Sequence, residues 1–357
     1  MPVITIAQIE TPALLIDMDL LEANINKMAD YFKDKSVRLR PHFKTCKCPA
    51  IAHMQLAAGA KGITCAKLGE AEVLAEAGVG DILIANQIAD GQKIARLAGL
   101  ARNTKITVCA DNAQNVADLS LAAKAYGVKI FVLVELDVGM QRCGVNTKEE
   151  VLALARQIDA SEGLVFEGIQ AYTGQLSHNP DRMEREKGTS EAESKVVDAV
   201  NCLKSNGLAV NEVSGAGTAT YDIPGGQNIW TEVQAGSYVF MDTDYDRLNL
   251  GFETALTVLA TVIHKRPGAA VTDAGLKVCC QDSGPPCIKG FPAVKVAALS
   301  EEHGRLLDEN DELEYRQKLE YVPSHCCTTV NLHDYYYCVR NGLLESVWRI
   351  SGRGRSA

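Results

Sequence analysis

Apolar and polar positions keep a regular beat over the first two thirds of the chain. Thr11-Pro12-Ala13-Leu14-Leu15-Ile16-Asp17 reads as a strand and residues 19–32 as an amphipathic helix. Short apolar runs bounded by turn residues then predict strands at 37–40, 62–65, 81–85, 106–110, 130–136, 166–172, 211–214 and 232–234. Helical periodicity fills the gaps at 49–58, 69–77, 90–100, 112–126, 148–161 and 184–206. The last connection, 219–230, is too short and polar for an ordinary helix. Eight strands joined by seven crossovers predict an α/β fold of the (β/α)8 TIM barrel type. An open doubly wound sheet is the alternative arrangement of the same beat.

The rhythm changes after residue 249. Strand-like segments at 255–264, 269–273, 293–299, 311–313, 320–322, 328–332, 335–339 and 343–348 follow one another without long helices. Arg266-Pro267-Gly268 and Asn341-Gly342 read as turns between them, Asn-Gly being a strong hairpin signal. The expected organisation is a barrel domain over 1–250 and a mostly-β domain over 251–357. The strand near residues 11–17 could pack with either.

Composition narrows the function. Of 357 residues, 46% are hydrophobic and 23% charged, as in an ordinary globular protein. The net charge of −9 carries no basic stripe, which argues against a nucleic-acid partner. No apolar run approaches the roughly 20 residues of a membrane span. Met1-Pro2-Val3-Ile4-Thr5 has no basic region followed by an apolar one, so no leader is read. Twelve cysteines without an export signal are expected as reduced thiols in a cytoplasmic protein.

Candidate chemistry gathers at predicted strand ends. In Arg40-Pro41-His42-Phe43-Lys44-Thr45-Cys46-Lys47, Pro41 stiffens the approach to Lys44 where a strand gives way to a loop. Arg40, His42 and Lys47 are expected to depress the lysine's pKa, as a Schiff-base lysine requires. The bland alternative is a surface basic cluster. In a barrel, phosphate is commonly held by the loops after the seventh and eighth strands. Here those loops are Ser214-Gly215-Ala216-Gly217-Thr218 and Ala235-Gly236-Ser237-Tyr238. Gly215, Gly217 and Gly236 let backbone N–H groups approach closely, and Thr218, Ser237 and Tyr238 add hydroxyls. Glycines that merely turn corners would look the same. Arg142, after the fifth strand, suits a phenolate or carboxylate. Tyr172, closing the sixth, could face a ligand or the core. His325 and Cys327 sit two apart in Pro323-Ser324-His325-Cys326-Cys327, a segment expected to be extended, so both would face one ion. Imidazole with thiolate suits Zn²⁺. Two ligands are too few for a closed site.

Together these residues resemble the fold-type III pyridoxal-phosphate enzymes of the D-threonine aldolase and D-serine dehydratase family, with an alanine racemase-like barrel. The resemblance spans nearly the whole chain. It includes Arg40-Pro41-His42-Phe43-Lys44-Thr45, Asp137-Val138-Gly139, Arg142-Cys143-Gly144, Gln170-Ala171-Tyr172, Gly236-Ser237-Tyr238, Glu302-His303-Gly304 and Pro323-Ser324-His325. It implies that Lys44 bears pyridoxal 5'-phosphate, that Arg142 and Tyr172 lie near its ring, and that the glycine loops hold its phosphate. It further implies a divalent metal (Zn, Mn or Mg) on His325 and Cys327, a small D-amino acid substrate and a head-to-tail homodimer. Tyr238-Val239-Phe240-Met241-Asp242 and Val330-Asn331-Leu332-His333-Asp334 look most like the aldolases of D-threonine and 3-hydroxy-D-aspartate. Those usually carry aspartate two residues after the metal histidine, whereas the dehydratases carry cysteine, as here. Because the resemblance to the aldolases is broader outside the metal pair, retro-aldol cleavage is the expected reaction, with β-elimination of water the alternative. Remoter alternatives are an amino-acid racemase and a non-catalytic cofactor-binding protein.

Overall fold

The structure is a computed structural model describing residues 4–223 and 228–357. The first three residues of the stretch read for a leader, and four residues of the 219–230 connection, lie outside that range. The chain divides into two compact units. One comprises Ala29–Lys44, Ile51–Gly236 and Arg355–Ala357, the other Met1–Met28, Thr45–Ala50 and Ser237–Gly354.

The strand β1 (Ala13–Asp17) belongs to the second unit. The first unit is built on β2 (Arg38–Leu39), β3 (Ile63–Cys65), β4 (Asp81–Gln87), β5 (Lys105–Ala110), β6 (Ile130–Glu135), β7 (Leu164–Ala171), β8 (Glu212–Gly215) and β9 (Glu232–Val233). All pair in parallel in the order β2-β9-β8-β7-β6-β5-β4-β3. The ends meet through a bridge between His42 and Thr64 and a bond from the Lys61 amide to the Leu39 carbonyl, which closes the barrel. Its strands read as nearly unbroken apolar runs because both faces are covered, one by the barrel interior and one by helices. Those helices stop and start on local chemistry. Asn112 caps 113–126 by accepting from the amides of Gln114 and Asn115, and Gly127 ends it at a φ of 64°. Thr147 and Glu150 form a reciprocal capping box for 148–159.

At the amino ends of the strands a charged network closes the barrel floor. Arg40 Nε lies 2.8 Å from Glu232 Oε2 and its Nη1 lies 2.8 Å from Asp81 Oδ1. Lys61 bridges Glu212 and Glu232, and Lys105 lies between Asp81 and Glu167. Arg40 therefore points away from the end that holds Lys44. It cannot act as the cationic neighbour that the sequence suggested.

The second unit contains β10 (Leu256–Arg266), β11 (Gly268–Thr272), β12 (Cys287–Ile288), β13 (Lys295–Leu299), β14 (Gly304–Asp308), β15 (Lys318–Val322), β16 (Tyr335–Arg340) and β17 (Leu343–Arg349). The long β10 pairs with β15 along one edge and with β1 and then β11 along the other. The circuit β10-β11-β14-β13-β12-β15 closes an antiparallel barrel, and β1, β16 and β17 extend from it. Thus β1 belongs to this sheet, antiparallel to β10 and parallel to β16. Ile9, Ala13, Leu15, Leu259 and Val339 form the apolar cluster beneath it. Asn341 and Gly342 turn β16 into β17 with φ of 51° and 75°, as their dipeptide predicted.

Three local expectations fail. The segment 328–332 is not a strand, because Cys326–Val330 is helical. Its β-branched residues favour a strand, but Asp242 Oδ2 accepts from the Cys326 amide at 2.8 Å and Thr329 donates back to His325. The segment 311–313 is irregular, with Asp311 at a φ of 54° and Asp308 accepting from the amides of Glu312 and Leu313. Residues Phe43–Cys46 form a helical turn rather than an open loop. The strands β12 and β14 were not anticipated. In β14 only Gly304, Leu306 and Asp308 face inward, too weak an apolar signal to read.

Candidate active site

Lys44 is positioned by pairing on both sides of the segment before it. The Arg40 and His42 amides donate to the carbonyls of Val233 and Ala235, and the Thr64 amide donates to Pro41. Buried Phe43 then anchors the helical turn, and the Lys44 amide lies 3.3 Å from His42 Nδ1. The lysine side chain reaches a cavity of about 180 Å³ at the carboxyl ends of the strands. Lys44, Arg142, Tyr172, Gln170, Gln234 and Asn86 supply most of its polar lining.

Two cations lie near the Tyr172 ring. Lys44 Nζ and Arg142 Cζ each lie 5.7 Å from its ring centre. The phenol oxygen is 3.3 Å from Ser177 Oγ, and Gly174 is needed because a Cβ there would come within 2.4 Å of the ring. Tyr172 thus faces the cavity rather than filling the core.

Arg142 rides on a loop pinned at both ends. The Asp137 amide donates to Val145 O and the Val145 amide to Glu135 O. Asp137 Oδ1 accepts from Gly139 and Gln141, and Asp111 Oδ2 accepts from Gly144 at 2.9 Å. Gln87 joins Asp111 to Glu135, 3.1 and 2.5 Å away. Burial raises the Glu135 pKa, against the pull of Gln87 and Arg142.

The two glycine loops bond to each other. Thr218 Oγ1 accepts from the Gly236 amide at 3.2 Å, and the Gln234 amide donates to Gly215 O. The three glycines are not equivalent. A Cβ at Gly215 would lie 2.1 Å from Ala171 O and 2.6 Å from the Trp230 ring, so that glycine admits its neighbours. Gly217 would meet only Tyr172, at 3.7 Å, and its amide donates to Thr220 Oγ1.

The remaining candidates lie in the second unit. Tyr238 is fully buried with its ring 5.6 Å from Phe252. Cys327 Sγ lies 3.2 Å from Thr45 Oγ1 and 3.9 Å from Ser237 Oγ. His325 is the extended residue preceding the short helix, and Cys327 is its second residue. The pair therefore converges across a helix start, not along an extended strand. Cys326 turns into the core against Asp242. His325 Nδ1 lies 2.9 Å from Asp282 Oδ2. Burial opposes charge on the imidazole, but the hydrogen bond and charge of Cys327, with those of Asp282, carry its pKa up to about 10. Among the described residues, no group of three or more His, Cys, Asp or Glu side chains is placed to hold a metal ion. All twelve cysteines carry thiols rather than disulfides. No helix among the described residues is long and apolar enough to cross a membrane.

A parallel barrel with a lysine, an aromatic ring and an arginine at its carboxyl end, followed by an antiparallel barrel, defines the alanine racemase-like class of pyridoxal-phosphate enzyme. The chain belongs to that class: the family described as alanine racemase, N-terminal domain, matches residues 16–244, and the putative serine dehydratase domain matches 255–339. Within it, the chain is 42% identical to a 3-hydroxy-D-aspartate aldolase of Paracoccus denitrificans (strain Pd 1222), over 98% of this chain and 93% of that protein. It is also 42% identical to a D-threonine aldolase of Arthrobacter sp, over 98% and 94%. The crystal structure of D-threonine aldolase from Filomicrobium marinum superposes with a TM-score of 0.96 at 39% identity, covering 99% of this chain and 98% of that one. The chain is an enzyme, a lyase of this family, and its cofactor is pyridoxal phosphate.

The cavity suits that cofactor. Lys44 offers an amine to an aldehyde, Tyr172 a ring face, and Arg142 a cation for an acceptor atom, while Gln170 and Gln234 supply carboxamides. Sequence reasoning had not singled out Asn86 or Gln234. Each is a polar residue at the carboxyl end of a barrel strand, and that placement was the available signal. Asp282 left no signal, lying 43 positions from His325 in an irregular stretch.

Proposed function

We propose that this enzyme cleaves β-hydroxy D-amino acids, of the D-threonine or 3-hydroxy-D-aspartate type, to glycine and an aldehyde by retro-aldol reaction. The observation that carries the reading is the placement of Lys44 and Arg142, each 5.7 Å from the Tyr172 ring centre, in one cavity. Identity of 42% with two aldolases over nearly the whole chain supports the choice of reaction.

In this reading Lys44 would hold pyridoxal phosphate, and Arg142 and Tyr172 would bind at its ring. Gly215, Gly217, Thr218, Gly236, Ser237 and Tyr238 are the residues that would hold its phosphate. When bound, the cofactor supplies an electron sink for negative charge developing at the substrate Cα. Lys44 would be the amine that holds the cofactor, and its Nζ, in reach of Cα, would supply the proton that Cα must gain to become glycine. Arg142 would set a guanidinium beside the ring. His325 and Cys327 would hold a divalent ion, Zn²⁺ being the best match to one nitrogen and one sulfur donor. That ion would lower the pKa of the β-hydroxyl, which must lose its proton as Cα–Cβ breaks. A head-to-tail homodimer completes the proposal.

Elimination of water is the second reading, favoured by Cys327 in place of aspartate. The products of D-threonine decide between them. Glycine with acetaldehyde supports cleavage, whereas 2-oxobutanoate with ammonia supports elimination and overturns it.

A further inference from the structure

Asp282 occupies an irregular stretch between β11 and β12, and both of its carboxylate oxygens are engaged. Oδ2 meets His325 Nδ1 at 2.9 Å. Oδ1 accepts from Cys280 Sγ at 3.1 Å and from Thr328 Oγ1 at 3.2 Å. We propose that Asp282 is the positioning residue of the metal pair, fixing the His325 imidazole so that Nε2 is the nitrogen presented to a divalent cation beside Cys327. The inference rests on the metal reading above and extends it to a residue outside the ligand pair.

The argument is one of tautomer and aim. An imidazole that ligates a cation has given up one proton, leaving one N–H and one lone pair; a carboxylate can only accept, so the remaining proton belongs on Nδ1 and the lone pair on Nε2. A carboxylate on the far nitrogen also makes the ligating nitrogen more basic and restricts rotation of the ring. The second oxygen adds a further constraint. Thr328 follows Cys327 in the helix Cys326–Val330, so one carboxylate ties the histidine to the helix bearing the thiol. Removing it frees the ring and loosens its register with the sulfur. Asp282 is 42% exposed, so its loss leaves no buried unpaired charge and gives the fold little reason to fail.

The test is a titration of the full-length, cofactor-loaded protein with Mn²⁺ and, in competition with a chromophoric chelator, Zn²⁺. Asp282→Ala is expected to weaken binding by about 10–100-fold with the cofactor's visible absorbance unchanged. Asp282→Asn keeps an acceptor oxygen without the charge and should fall between. It decides the matter if the alanine variant does not fold. Wild-type affinity in both variants, with His325→Ala having lost the ion, overturns the positioning role and leaves the metal reading standing. Wild-type affinity in His325→Ala removes the metal reading and the proposal with it.

Discussion

Arg40 Nε and Glu232 Oε2 lie 2.8 Å apart, and neither side chain is more than 3% exposed. This pair lies at the amino end of the barrel, where strand termini carry stability rather than chemistry. Burial opposes charge on Glu232, yet the Coulombic pull of Arg40, with hydrogen bonds from Ser214 and Arg40 and the charge of Lys61, brings its pKa below the ordinary carboxylate value. A depressed carboxylate contributes stability above its unfolded pKa and loses it as pH falls through the folded one. Glu232→Gln leaves Arg40 buried with one acid fewer, and should cost about 3–5 kcal/mol in urea unfolding. The deficit should shrink on acidification below the ordinary carboxylate range. A variant within 1 kcal/mol of wild type at neutral pH would mean that water or Asp81 satisfies Arg40 unaided.

Lys44 is expected to be the only lysine that borohydride fixes to the cofactor. The purified protein should absorb in the visible, and Lys44→Ala should be colourless yet folded, since its side chain is only half-buried. Arg142→Ala, on a loop held by backbone bonds and by Asp111, should keep the colour and lose most turnover. Peptide mapping after reduction checks both. An adduct on another lysine would displace Lys44 from its assigned role.

The barrel was legible because its code is local. Parallel strands covered on both faces read as apolar runs, and Asn112, Thr147 and Gly127 announce helix ends within a few residues. Lys44, Arg142 and Tyr172 were legible because strand ends can be counted. What resisted reading was set by distant partners. Arg40 looked like a neighbour of Lys44 until Glu232, 192 residues away, turned it to the opposite end. Thr328-Thr329-Val330 looked like a strand until Asp242 bonded the start of that segment. Asp282 meets His325 only through a fold that no short window contains.

Subunit assembly can be measured directly. A homodimer is expected in sedimentation at assay concentrations, with both sites loaded with cofactor. The resemblance to enzymes that assemble head to tail motivates this. A fully active monomer would contradict it.

The last prediction concerns Cys327, where the chain departs from the aspartate expected of an aldolase. Its sulfur lies 3.2 Å from the Thr45 hydroxyl and 3.9 Å from the Ser237 hydroxyl. A thiolate is a soft donor and favours Zn²⁺, whereas a carboxylate is hard and favours Mn²⁺ or Mg²⁺. Cys327→Asp should therefore reverse the order of activation among these ions while leaving the cofactor absorbance unchanged. The carboxylate also suits the Thr45 hydroxyl as an acceptor, so the variant should fold. If the wild type instead eliminates water and this residue sets the reaction as well as the metal, the variant's products from D-threonine should shift from 2-oxobutanoate toward glycine and acetaldehyde. Activation in the same order as wild type, with the same products, would mean that Cys327 does not ligate the ion. Its bond to Thr45 would then be structural.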